Sequence, residues 1–239
     1  MTLTVQAFYE YLLKAHMFAG EAYIPYLERW KLVADSTIQY IASHPFGHPE
    51  WSLLPSWEYG KLVKVMDVAS WSAGGTFILG GLVTSNQTLI DFGITIADTA
   101  GAISHVTTTG LGAESIVWTD DCAPSFMERY RLDECNASTA IQITSPEYKL
   151  RPQVIETWYY AYQATKDPKY RDWAWSAVQT LLQICKTPSG FSAISDVTAV
   201  AGGAMLDEME HLPELLMYLW LVHNEVRTAI LMSYPLLTR

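Results

Sequence analysis

The stretch Leu150–Thr187, LRPQVIETWYYAYQATKDPKYRDWAWSAVQTLLQICKT, decides the fold. It reads as two helices joined by a tight turn. Pro152 suits a first helical turn, where a missing N–H costs nothing. Ile155, Trp158, Tyr159 and Tyr162 then recur at helical spacing as a buried stripe. Asp167-Pro168 restarts a helix as N-cap and first residue, and Trp175, Val178, Leu182 and Cys185 carry the apolar face onward. The opening turn also holds Arg151, then uncharged Gln153, then Glu156 one turn on. A charged pair at the mouth of an aromatic helix points to a site. The amide between them, where a carboxylate would be able to do chemistry, is the question this segment poses.

Outward from this segment the helical period continues. Phe8, Tyr11 and Leu12 share one face, and Tyr26, Trp30, Val33, Ile38 and Ile41 mark a second helix. A Pro/Gly-rich loop, His44 to Ser56, precedes a small-residue segment, Ser72–Gly81 (SAGGTFILGG), and a weaker helix around Thr88–Ile103. Between Gly110 and Ser145 periodicity fades, which reads as a long loop. Gly190–Val197 is a short extended return, and further helical stretches flank His211 and Glu225. Helix hairpins separated by longer loops, without a strict short period, favour an α/α toroid over a repeat array.

Composition narrows the class. The chain has 239 residues, 50% of them hydrophobic and 13% aromatic, so it buries a substantial core and is not disordered. A formal charge of −10 with no Lys/Arg run argues against nucleic acid as a partner. No charge-free apolar stretch reaches the roughly 18 residues of a membrane span. The N-terminus, MTLTVQAFYEYLLKAH, lacks the basic and apolar regions of a signal peptide. Three cysteines, Cys122, Cys135 and Cys185, leave at least one unpaired. Asn86-Gln-Thr and Asn136-Ala-Ser are glycosylation sequons, which count only if the chain is secreted.

Acids at element ends are the first candidates for chemistry: Glu114 after a Gly-rich turn (TGLGAES), Glu156, and Glu214 in an aromatic-rich helix. Each alone reads as a solvated or dipole-satisfying acid; together they would converge on the axis of a toroid. His44 and His48 stand four apart without Cys or His company, so no zinc site is expected. His16, His105, His211 and His223 are isolated. Nucleophile elbow, phosphate loop and dinucleotide fingerprint are absent. The aromatic stripes read as core before they read as a sugar platform.

The segment YKLRPQVIETWYYAYQATKDPKYRDWAWSAVQTLLQICKTPSGFSAISDV resembles the C-terminal part of glycoside hydrolase family 47, the class I α-1,2-mannosidases, of fungal type. FYEYLLK (Phe8–Lys14), GGTFILGG and TGLGAES resemble three further motifs of that family. The resemblance implies an all-α fold, an incomplete (α/α)7 toroid built from helix hairpins. Residues 1–239 would be a partial family 47 domain without the N-terminal half of the barrel. It also implies inverting, calcium-assisted hydrolysis of terminal α-1,2-linked mannose from high-mannose N-glycans, in the secretory pathway or outside the cell. This chain shows no signal peptide of its own.

Carried over by position, the family's general base falls on Gln153 and a catalytic aspartate on Gln6, and neither amide takes a proton usefully from water. The calcium-ligand motif falls on Leu231 and Met232, so the metal is expected to be lost here. Arg151, Glu156, Glu114 and Glu214 remain as the sugar-contacting framework. The family's disulfide is also lost: Cys185 matches one cysteine, while Trp71 stands at its partner's place. Cys122 and Cys135 are a candidate pair within the long loop. The expectation is impaired or lost hydrolysis. The alternatives are a non-catalytic binder of mannose glycans, a helical scaffold without sugar function, or a gene fragment.

Overall fold

A computed structural model describes residues 3–207, 209 and 211–224, with side chains from residue 7 onward. Helices dominate. The first hairpin joins α1 (Leu3–Ala19) to α2 (Ile24–Ser36), which continues as a π-helical turn, Thr37–Ile41. The second joins α3 (Ser72–Thr84) to α4 (Gln87–Val106), and the third joins α6 (Gln153–Thr165) to α7 (Lys169–Thr180), with the short α5 (Pro124–Tyr130) between them. The last described helix is α8 (Leu212–His223). Connections of a few residues force each hairpin antiparallel, the repeating unit of an incomplete toroid.

Small antiparallel sheets decorate the helices. β1 (Ser56–Glu58) and β2 (Lys61–Val63) form a hairpin, and β6 (Lys186–Thr187) pairs with β7 (Gly190–Phe191). β3 (Val65–Asp67), β4 (Ser115–Trp118) and β5 (Ile141–Ser145) form a three-stranded sheet with β4 central. The segment expected to be a loop, Gly110–Ser145, therefore contains two strands and a helix. The alternation in SIVW and IQITS is too short to stand out without its cross-strand partners.

The core centres on α3, α4 and α6. All ten residues from Ser72 to Gly81 are buried. Glycine permits this: a Cβ on Gly93 of α4 would lie 2.5 Å from the backbone oxygen of Gly74. The α3 and α4 backbones consequently touch, and α6 docks beside them. Thr157 donates its hydroxyl to the Trp71 carbonyl (2.6 Å) and accepts the Gly75 N–H (3.2 Å), while Trp158 Nε1 donates to the Ala97 carbonyl (3.1 Å).

Some expected faces turn out otherwise. Ile155, Trp158, Tyr159 and Cys185 are buried as expected, but Trp175 and Leu182 are half exposed; Ala174, Ala177 and Leu181 face inward instead. Small residues let α7 approach its neighbours closely, which outweighs the larger apolar faces available. Phe8 and Tyr11 are likewise exposed, and Leu12, Leu13 and Met17 make the inner face of α1. Asp167 caps α7 as expected, its Oδ1 accepting the Lys169 N–H two residues on (3.0 Å), and the regular helix begins at Lys169. Glu225, Leu231 and Met232 lie outside the described residues, as does the side chain of Gln6.

Candidate functional site

Arg151 enters the site from a bend. Leu150, fully buried, adopts a left-handed φ of 56°, a conformation costing a non-glycine residue on the order of 1 kcal/mol. That turn delivers Arg151 to Glu114, the residue immediately before β4. Arg151 Nε donates to Glu114 Oε2 (2.6 Å), and Glu114 Oε1 accepts the Lys149 N–H (3.3 Å). Glu114 is itself fixed by its backbone, taking the Val68 N–H and donating to the Glu147 carbonyl. The pair is mostly shielded, with side-chain exposures of 21% for Arg151 and 12% for Glu114, so the carboxylate holds the guanidinium in one orientation.

Arg151 has a second neighbour that sequence spacing missed. Its Nη1 lies 2.8 Å from His211 Nε2 at the N-cap of α8, so His211 is not isolated. An arginine N–H only donates, so that histidine nitrogen is the acceptor and carries no proton.

Gln153 opens α6 directly after Pro152. Its Oε1 is buried and has no hydrogen-bond partner among the described residues. Such an orphaned carbonyl costs about 1–3 kcal/mol, which a bound donor would offset. One turn on, Glu156 lies on the same face of the helix and is 7% exposed. Tyr218 of α8 donates its hydroxyl to Glu156 Oε1 (2.6 Å). Burial, reinforced by the charge of Glu10 on α1, pushes the Glu156 carboxyl up from 4.5 to about 7; the Tyr218 bond and Lys14 pull the other way. Burial and then the charge of Glu156 raise the Tyr218 hydroxyl, which therefore stays the donor. Lys14 is ion-paired with Glu10.

Glu214 is exposed in the first turn of α8 and adds to the negative field on Glu156 without touching it. The starts of α6 and α8 thus gather Arg151, Glu114, His211, Gln153, Glu156, Tyr218 and Glu214, with Glu10 and Lys14 approaching from α1. Tyr218 and His211 belong to the arrangement only through contacts sixty residues distant in sequence, for which local pattern holds no signal.

Elsewhere, His44 and His48 are used structurally. His44 Nδ1 contacts the Trp51 carbonyl, and His48 stacks on the Trp51 ring at 3.7 Å. Among the described residues no group of three or more His, Cys, Asp or Glu side chains is placed to hold a metal ion. Cys122 and Cys135 form a disulfide, and Cys185 is a buried free thiol. No described helix is long and apolar enough to cross a membrane.

The profile of glycosyl hydrolase family 47 matches residues 3–238. A mannosyl-oligosaccharide alpha-1,2-mannosidase of Penicillium citrinum is 35% identical over 221 residues, covering 92% of this chain and 42% of its own length. A probable mannosyl-oligosaccharide alpha-1,2-mannosidase 1B of Aspergillus fumigatus is 35% identical over 219 residues, 91% of this chain and 43% of its own. In solved structures, the alpha-1,2-mannosidase from Trichoderma reesei superposes with a TM-score of 0.82 at 34% identity, over 91% of this chain and 46% of that one. The chain thus spans less than half the length of the relatives it matches, and over that span both sequence and fold agree. On the family profile, the relatives and the superposition alike, this chain belongs to glycosyl hydrolase family 47.

Proposed function

We propose that this chain keeps the mannose-recognising part of its family's site while its hydrolysis of terminal α-1,2-linked mannose is impaired or lost. The observation that carries this reading is the buried carbonyl oxygen of Gln153, without a hydrogen-bond partner among the described residues and two residues from the clamped guanidinium of Arg151. Inverting hydrolysis needs an acid on the leaving oxygen and a carboxylate that draws a proton from water on the opposite face. An amide in the second position accepts a hydrogen bond from a sugar hydroxyl or a water but does not take the proton. Arg151, held by Glu114, donates to sugar oxygens, and Glu156 and Glu214 accept from hydroxyls. Gln6 stands where the family places a catalytic aspartate, so a second acid is also missing.

Calcium is the metal the family implies. Leu231 and Met232, at the ligand motif, offer it only backbone carbonyls, so the side chains there do not fit the ion. The glycans in question are high-mannose N-glycans. Their compartment, the secretory pathway or the cell exterior, agrees with the Cys122–Cys135 disulfide, because such bonds persist in oxidising surroundings.

The test is mannose release from α-1,2-linked mannobiose by the purified, folded chain, with calcium and then with chelator, alongside calorimetric titration of the same sugar. Binding without release in either condition is the expected result. Release that depends on calcium would overturn the assignment of Gln153 to the general-base position; absence of binding would overturn the recognition half of the reading.

A further inference from the structure

We infer that Asn86 is a site of N-linked glycosylation, on the face of the fold remote from the mannose site. The inference rests on the secretory reading above and adds to it a modification that the family site does not involve. Asn86 closes the turn between α3 and α4 and Gln87-Thr88 open α4; all three residues are exposed, as is Ser85 before them. Ser85 ends α3 in a left-handed conformation, and the Asn86 N–H then donates to the Gly81 carbonyl (2.8 Å). Asn86 turns extended, and its Oδ1 caps α4 by accepting the Thr88 N–H (3.0 Å). The cap uses the oxygen alone. The amide nitrogen, the atom that carries the glycan, takes no part in it, so modification leaves the cap in place.

The second sequon differs. Asn136 is half-buried beside Cys135, and its Oδ1 accepts from the Ser138 N–H, the Ser138 hydroxyl and the Thr139 N–H. The following residue is packed against a neighbouring loop, with the Ala137 carbonyl 3.1 Å from His48 Nε2 and no room for a Cβ on Gly47. Of the two, Asn86 is the one whose surroundings admit a branched oligosaccharide. Its distance from the site is set by α3: thirteen residues separate the Trp71 end, where Thr157 of α6 docks, from the Asn86 end. At 1.5 Å per residue that is about 20 Å, so the glycan does not compete with sugar at Arg151.

The reaction joins Asn86 Nδ2 to the anomeric carbon of an oligosaccharide carried on a polyprenyl diphosphate. The N–C bond forms as the bond from that carbon to the diphosphate oxygen breaks. The polyprenyl diphosphate leaves with the electron pair, and one amide proton passes to the transferase.

The experiment expresses the full chain in yeast behind a heterologous secretion leader, trims glycans with an endoglycosidase that leaves one N-acetylglucosamine, and maps peptides and disulfides by mass spectrometry. The Asn86 peptide is expected to carry the sugar. Asn86→Asp, which keeps an oxygen for the cap, and Thr88→Ala, which keeps Asn86 itself, are each expected to abolish it. An unmodified Asn86 in a chain whose Cys122–Cys135 bond has formed would overturn the inference alone. A chain carrying neither bond nor sugar would overturn the secretory reading together with it.

Discussion

The α3–α4–α6 core and the α1–α2 hairpin are both helical and both rich in apolar residues, yet they bury them very differently. Every residue of α3 from Ser72 to Gly81 is inside, whereas α2 buries only Trp30 and Ala34, and Phe8, Tyr11, Phe18 and Leu32 of the hairpin face outward. The difference lies in backbone approach. Gly74, Gly75 and Gly93 let three helices meet with little side chain between them, while the bulky residues of the hairpin have neighbours on one side only among the described residues. Apolar content alone does not measure burial; the partner surface does.

That comparison breaks if the core tolerates change as the hairpin does. Trp158→Ala, which removes a fully buried ring and its bond to the Ala97 carbonyl, is expected to cost about 3–5 kcal/mol in urea unfolding. A loss below about 1 kcal/mol would mean that the core is loosely packed.

Glu156 tests the region where core and site join. Its carboxyl is held neutral up to about 7 against 4.5 in the unfolded chain, so the native state binds the extra proton between those values. Stability from this group is fully present below 4.5, declines as pH rises through that window, and levels off above about 7, a change on the order of 3 kcal/mol. Glu156→Gln keeps an oxygen for the Tyr218 hydroxyl and should flatten the decline. Denaturation midpoints measured from pH 4 to pH 8 that keep the same slope would contradict it.

Smaller effects sharpen the picture. Gly93→Ala places a methyl 2.5 Å from a backbone oxygen and should cost about 1–3 kcal/mol by thermal unfolding. Arg151→Ala should weaken mannose binding at least about tenfold by calorimetry, since it removes a charged donor from the site. Phe18→Ala, at 92% exposure, should change stability by no more than about 0.5 kcal/mol; a large loss would show that the hairpin face is covered in solution.

Legibility in the sequence followed the distance over which each feature is decided. The helices of residues 150–187 were readable because a 3.6-residue period and a proline at the first turn act locally. Their inward faces were read less well: Trp175 points out because Ala174 and Ala177 permit a closer contact, a choice made by neighbouring helices. The strands β4 and β5 were missed because their pairing, not their composition, makes them strands. Within the site, Glu114 and Arg151 were singled out by their places at element ends and then by family motifs, and the geometry joins them directly. His211 and Tyr218 went unrecognised, since neither has a local pattern that marks it.

By itself the sequence determined the helix hairpins, the family to which the chain is similar, and the presence of an amide at position 153, because residue identity and helical period are carried residue by residue. Tertiary structure alone decided which faces are buried, that Glu156 holds its proton nearly to neutrality, and that the Gln153 oxygen finds no partner among the described residues. Those properties come from desolvation and from charges and donors brought in by distant segments, and no local stretch of chain contains them.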